Sequence, residues 1–204
     1  MGLYGRYVLP KLVNWACRQG PPMQQRARLI PAAEGKVLEI GIGSGLNLGF
    51  YDAKKVQSVV GIDPSEATWR QHDIDLHSLP FAFEFIAAPA ESIPVEDGIF
   101  DTIVTTYTLC TIPDYEQAFA EFRRVLKPGG QLLFCEHGRA PDTGVAKWQD
   151  RINPIWKKFG GGCNLNRNIP ALIRENGFQI TDLETLYLPG WKPATFNFRG
   201  RARL

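Results

Sequence analysis

The sequence predicts a doubly wound α/β fold, in which helices cover both faces of a mainly parallel sheet. Short apolar runs alternate with segments of helical spacing over most of the 204 residues. The first run carries Glu39 and breaks into three glycines at alternate positions, and the second run ends on the carboxylate Asp63. Strand, glycine loop, helix, strand and acid, in this order, are typical of a βαβ unit that binds a nucleoside.

Length and composition indicate one globular domain, residues 1–204. The chain is 44% hydrophobic and 22% charged, which is ordinary for a soluble protein with a full core. Its formal charge of +2 offers no electrostatic case for nucleic acid. No apolar run approaches the ~20 residues of a membrane helix, and no signal peptide is evident. Since the four cysteines lie far apart, we expect a reduced, cytoplasmic setting.

Two helices are predicted ahead of the sheet, in the N-terminal segment 1–33. Apolar residues recur at helical spacing between Leu3 and Cys17, and Pro10 is expected to kink or split this helix. The other face of the helix is basic, with Arg6, Lys11 and Arg18. Residues 1–18 therefore either pack on the domain or make peripheral contact with a membrane as an amphipathic segment. Two prolines open the second helix, which covers residues 21–33.

The strands are predicted from apolar runs that are bounded by glycine, proline or acidic residues. Five parallel strands are expected at residues 37–40, 58–62, 82–87, 100–107 and 131–136, and a closing antiparallel pair at 178–187 and 195–199. Because crossovers between parallel strands are right-handed, a ligand is expected at the carboxyl ends of the strands, near the switch point in their order.

Helices are predicted between these strands. One follows the second strand, from Pro64 to about Leu76. Asp114 and Gln117 form a variant of the capping box and open a helix that runs to Leu126. The next residues, 127–130, are predicted to form a hard stop and a turn. The remaining helices are expected at residues 143–159, around Pro154, and at 169–176, and glycines end both of them.

The spacing of the glycines indicates which nucleoside binds. A dinucleotide fold has G-x-G-x-x-G, with the pyrophosphate on the helix N-terminus. Here Gly41, Gly43 and Gly45 follow G-x-G-x-G, and Leu46 stands where the third dinucleotide glycine would fall. Glu39 lies inside the strand end, where a carboxylate repels a pyrophosphate but suits a cationic amine. S-adenosylmethionine has such an amine, a sulfonium and no phosphate, so it is the predicted cofactor.

Several ordered motifs between Gly35 and Leu188 resemble those of class I S-adenosylmethionine-dependent methyltransferases. They are the glycine motif, the ribose acid Asp63, the segment Ala90–Pro94 beside the adenine, and the block Arg124–Gly130 before the fifth strand. The resemblance implies a Rossmann-like seven-stranded sheet of order 3-2-1-4-5-7-6, in which only strand 7 is antiparallel. It also implies S-adenosyl-L-methionine as cofactor and S-adenosyl-L-homocysteine as product.

The motifs also imply a set of cofactor-binding residues. They are Glu39, Gly41, Ile42, Gly43, Gly45, Asp63, Pro64, Ala90, Glu91 and Thr106. This chain has Pro89 where the family often has an acid. Because proline has neither an N–H nor a side-chain acceptor, an adenine contact there is expected from the Ala90 amide or from a carbonyl.

Three segments resemble a narrower group, the microsomal alkyl-thiol methyltransferases of the methyltransferase-like 7 group. The segments are Thr108–Ile112, Cys135–His137 and Gly162–Leu165. Those proteins act on small thiols and hydrogen sulfide, so the resemblance implies a small-molecule thiol as the preferred acceptor. Bacterial phospholipid N-methyltransferases and quinone-pathway methyltransferases share much of the same pattern.

Three residues at the ends of the fourth and fifth strands are candidates for catalysis. His137 is the candidate base, since an alkyl thiol with a pKa near 8.5 needs only modest help to ionise; the alternative is that it hydrogen-bonds a loop. Glu136 is expected to orient His137 or to hold the acceptor, although neighbours on a strand point to opposite faces. Tyr107 either positions the acceptor through its hydroxyl or packs as an aromatic side chain.

The remaining candidates lie around the acceptor side. Cys110 and Cys163 are expected to be small buried hydrophobes rather than nucleophiles. With no C-x-x-C pair and only three histidines, no metal site is expected. Aromatic residues in and beyond a substrate-side insertion at 140–177 are expected to cover the acceptor pocket, unless they are ordinary core residues. They are Trp148, Trp156, Phe159 and Trp191.

Three alternatives to a thiol methyltransferase remain open from the sequence. A phospholipid or quinone-precursor methyltransferase at a membrane surface is favoured by the basic, aromatic N-terminal segment. A non-catalytic protein that binds S-adenosylmethionine is disfavoured, because Glu39, the glycines and Asp63 are all present. A nicotinamide oxidoreductase is disfavoured by Leu46 and by the absence of G-x-G-x-x-G.

Overall fold

A seven-stranded sheet forms the centre of the computed structural model, which describes residues 8–204. The strands are β1 (Gly35–Ile40), β2 (Val56–Ile62), β3 (Ala82–Ile86), β4 (Phe100–Thr106), β5 (Leu126–His137), β6 (Gln179–Tyr187) and β7 (Phe196–Arg203). Their order is β3-β2-β1-β4-β5-β7-β6, and β7 runs antiparallel to both of its neighbours while the other pairs are parallel. The expected Rossmann-like strand order and orientation are confirmed.

Helices cover both faces of the sheet. They are α1 (Leu9–Cys17), α2 (Gly20–Leu29), α3 (Glu66–Trp69), α4 (Tyr115–Val125), α5 (Thr143–Phe159), α6 (Ile169–Glu175) and α7 (Lys192–Thr195). The predicted cap of α4 is confirmed, since the Asp114 carboxylate accepts a hydrogen bond from the Gln117 N–H at 3.0 Å. One apolar cluster packs under α4 and α6, around Phe119, Phe122 and Phe178, and a second packs on the opposite face around Ile30 and Trp69.

The N-terminal helix α1 packs on the domain through polar side chains. Arg18 makes two hydrogen bonds to the Asp73 carboxylate, and the Ser44 hydroxyl donates to Asn14 at 2.7 Å. Several of its apolar side chains face outward instead, and Trp15 is 64% exposed. Pro10 is buried in the first turn of the described helix, where proline is tolerated. The kink or split expected at Pro10 concerns a helix that includes residues 3–7, which lie outside the described residues, so it stays a prediction.

Two predicted helices are replaced by shorter turns. The first crossover, between β1 and β2, contains only the 3₁₀ turn Leu48–Phe50. In that short connection the Asn47 side chain hydrogen-bonds to the buried Glu39 carboxylate, and the Asp52 side chain closes a turn. Too few residues remain between them for a helix. After β2, the helix expected over 64–76 is limited to α3.

Two further boundaries differ from the prediction: the end of the helix after β2 and the start of β5. The Asp75 side chain caps the 3₁₀ turn Leu76–Ser78, which interrupts the helix expected there. The expected stop at residues 127–130 lies within β5, where Phe100 pairs with Leu126 and Thr102 with Gln131. The residues between those two pairs form an irregularity in the ladder, so β5 begins earlier than predicted. In residues 8–204 no helix is both long and apolar enough to cross a bilayer.

Candidate cofactor and acceptor site

The glycine loop leaves β1 with a backbone that requires glycine. Gly41, Gly43 and Gly45 have φ angles of 66°, 58° and 76°, in the left-handed region that other residues rarely adopt. The Gly41 and Ile42 N–H groups donate to the Ile62 carbonyl, which ties the loop to the end of β2. A Cβ added at Gly43 would meet no atom nearer than 3.9 Å, so the backbone is open to a ligand at this point. Ile42 is buried under the loop.

Asp63 lies directly after β2 and faces the same loop. One carboxylate oxygen accepts the Gly43 N–H at 3.0 Å, and the other accepts the Ser65 N–H at 2.8 Å. Each oxygen keeps a second lone-pair site, which fits the hydroxyls of a ribose. Burial raises the pKa of this carboxyl, although the two N–H groups oppose the effect. Pro64, the next residue, is exposed beside it.

Glu39 is buried beneath the glycine loop, and both of its oxygens have internal partners. The Asn47 amide donates to one oxygen at 2.9 Å, and the Tyr51 hydroxyl donates to the other at 2.7 Å. Burial raises the pKa of Glu39 to about 7, against the effect of these two donors. The carboxyl therefore organises the floor of the site through its neighbours.

A buried arginine, which the sequence analysis missed, completes this floor. Arg26 of α2 donates to the Asn47 side chain at 2.8 Å and to the Thr106 hydroxyl, and Asn47 also donates to Thr106 at 3.0 Å. The guanidinium lies over the Tyr107 ring, 5.3 Å from its centroid. No motif in the sequence distinguished Arg26, since α2 also carries Arg28, which is exposed.

The segment Ala90–Pro94, expected beside the adenine, forms a turn near the N-terminal end of α4. The Ser92 N–H donates to the Pro89 carbonyl, and Ala90 is buried. Glu91 accepts the Asp114 N–H at 3.2 Å, so its carboxylate is engaged at the helix cap. A contact of this turn with adenine stays a prediction, and with Glu91 engaged it would come from the backbone of the turn.

On the acceptor side, Glu136 is buried at the end of β5 and holds the loop that follows β4. It accepts the Thr108 N–H at 3.1 Å, while its second oxygen has no hydrogen-bond partner in the part of the chain that the structure describes. Burial raises the pKa of this carboxyl to about 7, and the N–H groups of Thr108 and Leu109 oppose the effect. The Thr108 hydroxyl in turn donates to the Gly41 carbonyl at 3.5 Å. Thr108 thus connects Glu136 with the glycine loop.

His137 meets two cysteines rather than Glu136. Its Nε2 lies 3.1 Å from the Cys163 sulfur, and the Trp156 indole donates to the same sulfur at 3.3 Å. Cys110 lies close enough to complete a group of three possible ligand atoms. A hydrogen bond from the Cys110 thiol, aided by His137, lowers the pKa of Cys163 despite burial. Burial opposes the charged ring, but the Cys163 sulfur raises the pKa of His137.

Tyr107 is separated from this group. It is the only residue other than glycine with a positive φ (57°) among residues 8–204. Its hydroxyl lies 3.7 Å from the Cys135 sulfur, on the side of the sheet that Arg26 covers, and burial raises its pKa. The structure therefore places Tyr107 beside Arg26 and Cys135, and not with His137.

The aromatic residues expected over the acceptor differ in their positions. Trp156 contacts Cys163 and lies 6.1 Å from Trp191, measured between ring centroids. Trp148 and Phe159 are both 57% exposed, so α5 presents them at its surface. Of the four, Trp156 is the one that contacts the cysteine and histidine group.

The fold and the loop together define the class of protein. A family model described as a methyltransferase domain matches residues 38–134. Solved structures that share the fold include an S-adenosylmethionine-dependent methyltransferase from Thermotoga maritima, with a TM-score of 0.66, 21% identity and coverage of 98% of this chain and 96% of that one. A geranyl diphosphate methyltransferase in complex with S-adenosylmethionine has a TM-score of 0.70 at 16% identity, covering 89% and 84%. The chain is an S-adenosylmethionine-dependent methyltransferase.

Its relatives define the family. Thiol S-methyltransferase TMT1B of Homo sapiens is 33% identical over 181 residues, which are 85% of this chain and 73% of that protein. Thiol S-methyltransferase TMT1A of Homo sapiens is 30% identical over 161 residues, 78% of this chain and 66% of that protein. The chain belongs to the methyltransferase family that contains these two proteins, and it spans about two thirds to three quarters of their length.

Proposed function

We propose that this protein transfers the methyl group of S-adenosylmethionine to a small-molecule thiol. The relatives named thiol S-methyltransferase support the acceptor class, because the similarity extends over 85% of this chain. The site supports it as well, since the acceptor side holds sulfur and imidazole groups rather than a ring of carboxylates. The observation that carries the proposal is the meeting of His137 with Cys163 at the carboxyl end of β5.

The cofactor is proposed to lie across the glycine loop, with its ribose on Asp63. Asp63 has two free lone-pair sites beside an open backbone at Gly43. Glu39 is proposed to lie below the methionine amine, whose positive charge would favour the ionised carboxylate, and to hold Asn47 in place. The cofactor supplies a methyl group on a sulfonium, which transfers by in-line displacement. The chain needs only to align the acceptor and exclude water.

The acceptor is proposed to enter beside His137, Cys163 and Trp156. Methyl transfer to sulfur requires a thiolate, and His137 is the group proposed to promote ionisation of the acceptor thiol. Glu136 is proposed to act as a positioning residue, because it fixes the loop that carries Thr108 and Cys110. The hydroxyl of Tyr107 is proposed to support the cofactor floor rather than the acceptor.

A labelled-methyl assay tests the acceptor class. We expect transfer to small alkyl thiols and to sulfide, and little transfer to amines, phenols or phospholipid vesicles. His137→Gln should reduce thiol methylation by about 100-fold, the middle of the usual range for acid–base groups, and leave cofactor affinity unchanged. His77→Gln is the matched control, since His77 lies in a 3₁₀ turn away from β5. Transfer to an amine or a lipid with no transfer to thiols would contradict the proposal.

One observation favours a second candidate, a methyltransferase for lipids or quinone precursors at a membrane surface. The outward side of α1 is apolar, with Leu12 at 47% and Trp15 at 64% exposure. A double variant, Leu12→Ser with Trp15→Ser, leaves the polar contacts of Asn14 and Arg18 in place. Loss of vesicle binding together with loss of lipid methylation in that variant would favour this candidate. Tight cofactor binding with no transfer to any acceptor would favour a non-catalytic protein.

A further inference from the structure

Three side chains from separate parts of the chain meet at the acceptor side of the sheet. Cys110 follows β4, His137 ends β5, and Cys163 follows α5. One potential ligand atom of each residue lies within 4.8 Å of those of the other two. These residues are far apart in the sequence, which explains why spacing alone predicted no metal site.

The distance between His137 and Cys163 is close to that in a tetrahedral zinc site. Zinc binds thiolate sulfur at about 2.3 Å and imidazole nitrogen at about 2.0 Å, which places ligand atoms about 3.5–3.8 Å apart. His137 Nε2 and the Cys163 sulfur are 3.1 Å apart, so this pair needs a shift of a few tenths of an ångström, and the Cys110 sulfur lies within 4.8 Å of both atoms. Two thiolates and one imidazole are a donor set that favours zinc over calcium or magnesium.

The surroundings of the group suit charged sulfur ligands. The Trp156 indole N–H donates to the Cys163 sulfur at 3.3 Å, which is a hydrogen bond that stabilises a thiolate. The His137 ring directs Nε2 towards the Cys163 sulfur, and its Nδ1 is buried without a hydrogen-bond partner among the described residues. Nε2 is therefore the ring nitrogen that faces the group.

We propose that Cys110, His137 and Cys163 bind a zinc ion whose fourth coordination position takes the acceptor thiol. The inference rests on the proposed function and deepens it, since His137 would promote ionisation of the acceptor thiol as a zinc ligand and not as a base. Three protein ligands with one open position are the pattern of catalytic zinc, whereas structural zinc has four protein ligands. Cys110 is buried, while His137 and Cys163 are half-buried, so two of the three ligand residues are partly accessible.

The site is also near the cofactor loop. Thr108, two residues before Cys110, donates to the Gly41 carbonyl at 3.5 Å. Glu136, the neighbour of His137, accepts the Thr108 N–H at 3.1 Å. The zinc site is therefore linked to the glycine loop through Thr108.

The chemical step balances without an oxidant or reductant. When the acceptor thiol binds zinc, it loses its proton to solvent and becomes a thiolate. A bond then forms between that sulfur and the methyl carbon, and the bond from the methyl carbon to the sulfonium breaks. The electron pair of the broken bond stays on the departing sulfur, which becomes the neutral thioether of S-adenosyl-L-homocysteine. The methylated product is a thioether and a weaker zinc ligand, so it dissociates.

Metal analysis tests the site without reference to activity. We expect the full chain, purified without a histidine tag, to hold about one zinc per molecule and to bind cobalt with a thiolate-to-metal charge-transfer band. Cys163→Ser and His137→Gln should each lower zinc affinity by at least about 100-fold. Cys17→Ser is the matched control and should retain the metal, because Cys17 is outside the group and half-buried. Circular dichroism shows whether each variant is folded.

Activity and spectra then separate the two proposals. We expect a small alkyl thiol to shift the cobalt band, and removal of zinc from the wild-type protein to slow thiol methylation at least about tenfold, with recovery on adding zinc. Wild-type protein that binds no zinc, or a Cys110–Cys163 disulfide in the active enzyme, overturns the metal site. Metal-free protein with full thiol activity also overturns it and leaves the proposed function standing. Zinc binding with transfer only to amines or lipids rejects the thiol acceptor instead.

Discussion

Replacing Asp63 with alanine removes the carboxylate that is proposed to hold the ribose. In the structure each oxygen already accepts one backbone N–H, from Gly43 and Ser65, and has one lone-pair site left for a hydroxyl. A hydrogen bond to a charged group contributes about 1.5–3 kcal/mol. Two such bonds to the ribose contribute about 3–6 kcal/mol, or at least about 100-fold in affinity at about 1.4 kcal/mol per factor of ten.

Isothermal titration calorimetry with S-adenosylmethionine measures this effect. We expect the Kd of the Asp63→Ala protein to rise at least about 100-fold, with thermal unfolding used to show that the variant is folded. Asp75→Ala is the matched control, because Asp75 also accepts a backbone N–H, from His77, but lies in the turn before β3. A Kd within about twofold of wild type in folded Asp63→Ala protein would refute the assignment of Asp63 to the ribose.

Two further predictions concern the floor of the site and its stability. Gly41→Ala and Gly98→Ala both place a side chain at a positive φ, at a cost of about 1–2 kcal/mol, but only at Gly41 does the new Cβ lie 2.4 Å from the Thr108 side chain. Urea unfolding should show a larger loss in the free energy of unfolding for Gly41→Ala than for Gly98→Ala. Equal losses would mean that the contact with Thr108 adds no destabilisation. Burial raises the pKa of Glu39 from near 4.5 to about 7, so its protonated form is favoured in the folded chain. The contribution of the neutral carboxyl to the free energy of unfolding is fully present below pH 4.5. It is lost as the pH rises through 7, a change of about 3 kcal/mol. Urea unfolding between pH 5 and 8 should show a smaller fall in the free energy of unfolding for Glu39→Gln than for wild type, and identical slopes would contradict the burial argument.

The strand pattern of this protein follows closely from local sequence. Continuous apolar runs at 37–40 and 58–62 are typical of strands that are buried on both faces, and both occur in the structure. The strand order came from the resemblance to methyltransferases, because periodicity does not specify which strands pair. The two shortened helices could not be predicted from spacing alone. Their ends depend on side chains such as Asn47 and Asp75, which bond to the core or cap a turn.

The candidate site was predictable where it depends on the backbone. The glycine loop and Asp63 were found because only certain residue types allow that turn and that contact. Arg26 and the partners of Glu39 were missed, since they are joined by tertiary packing and not by a motif. The cysteines were expected to be inert, but their meeting with His137 depends on α5 and the loop after it. The three segments that carry these residues resemble one methyltransferase group, but their spacing does not show that they meet.

The connection after the glycine loop contains no α-helix, and α1 and α2 cover part of that loop and its floor instead. Asn14 contacts Ser44 in the loop, and Arg26 reaches the floor beneath it. Local detachment of these two helices would uncover the proposed nucleoside site while the strands stay paired. The rate at which product leaves would then depend on how often the two helices detach.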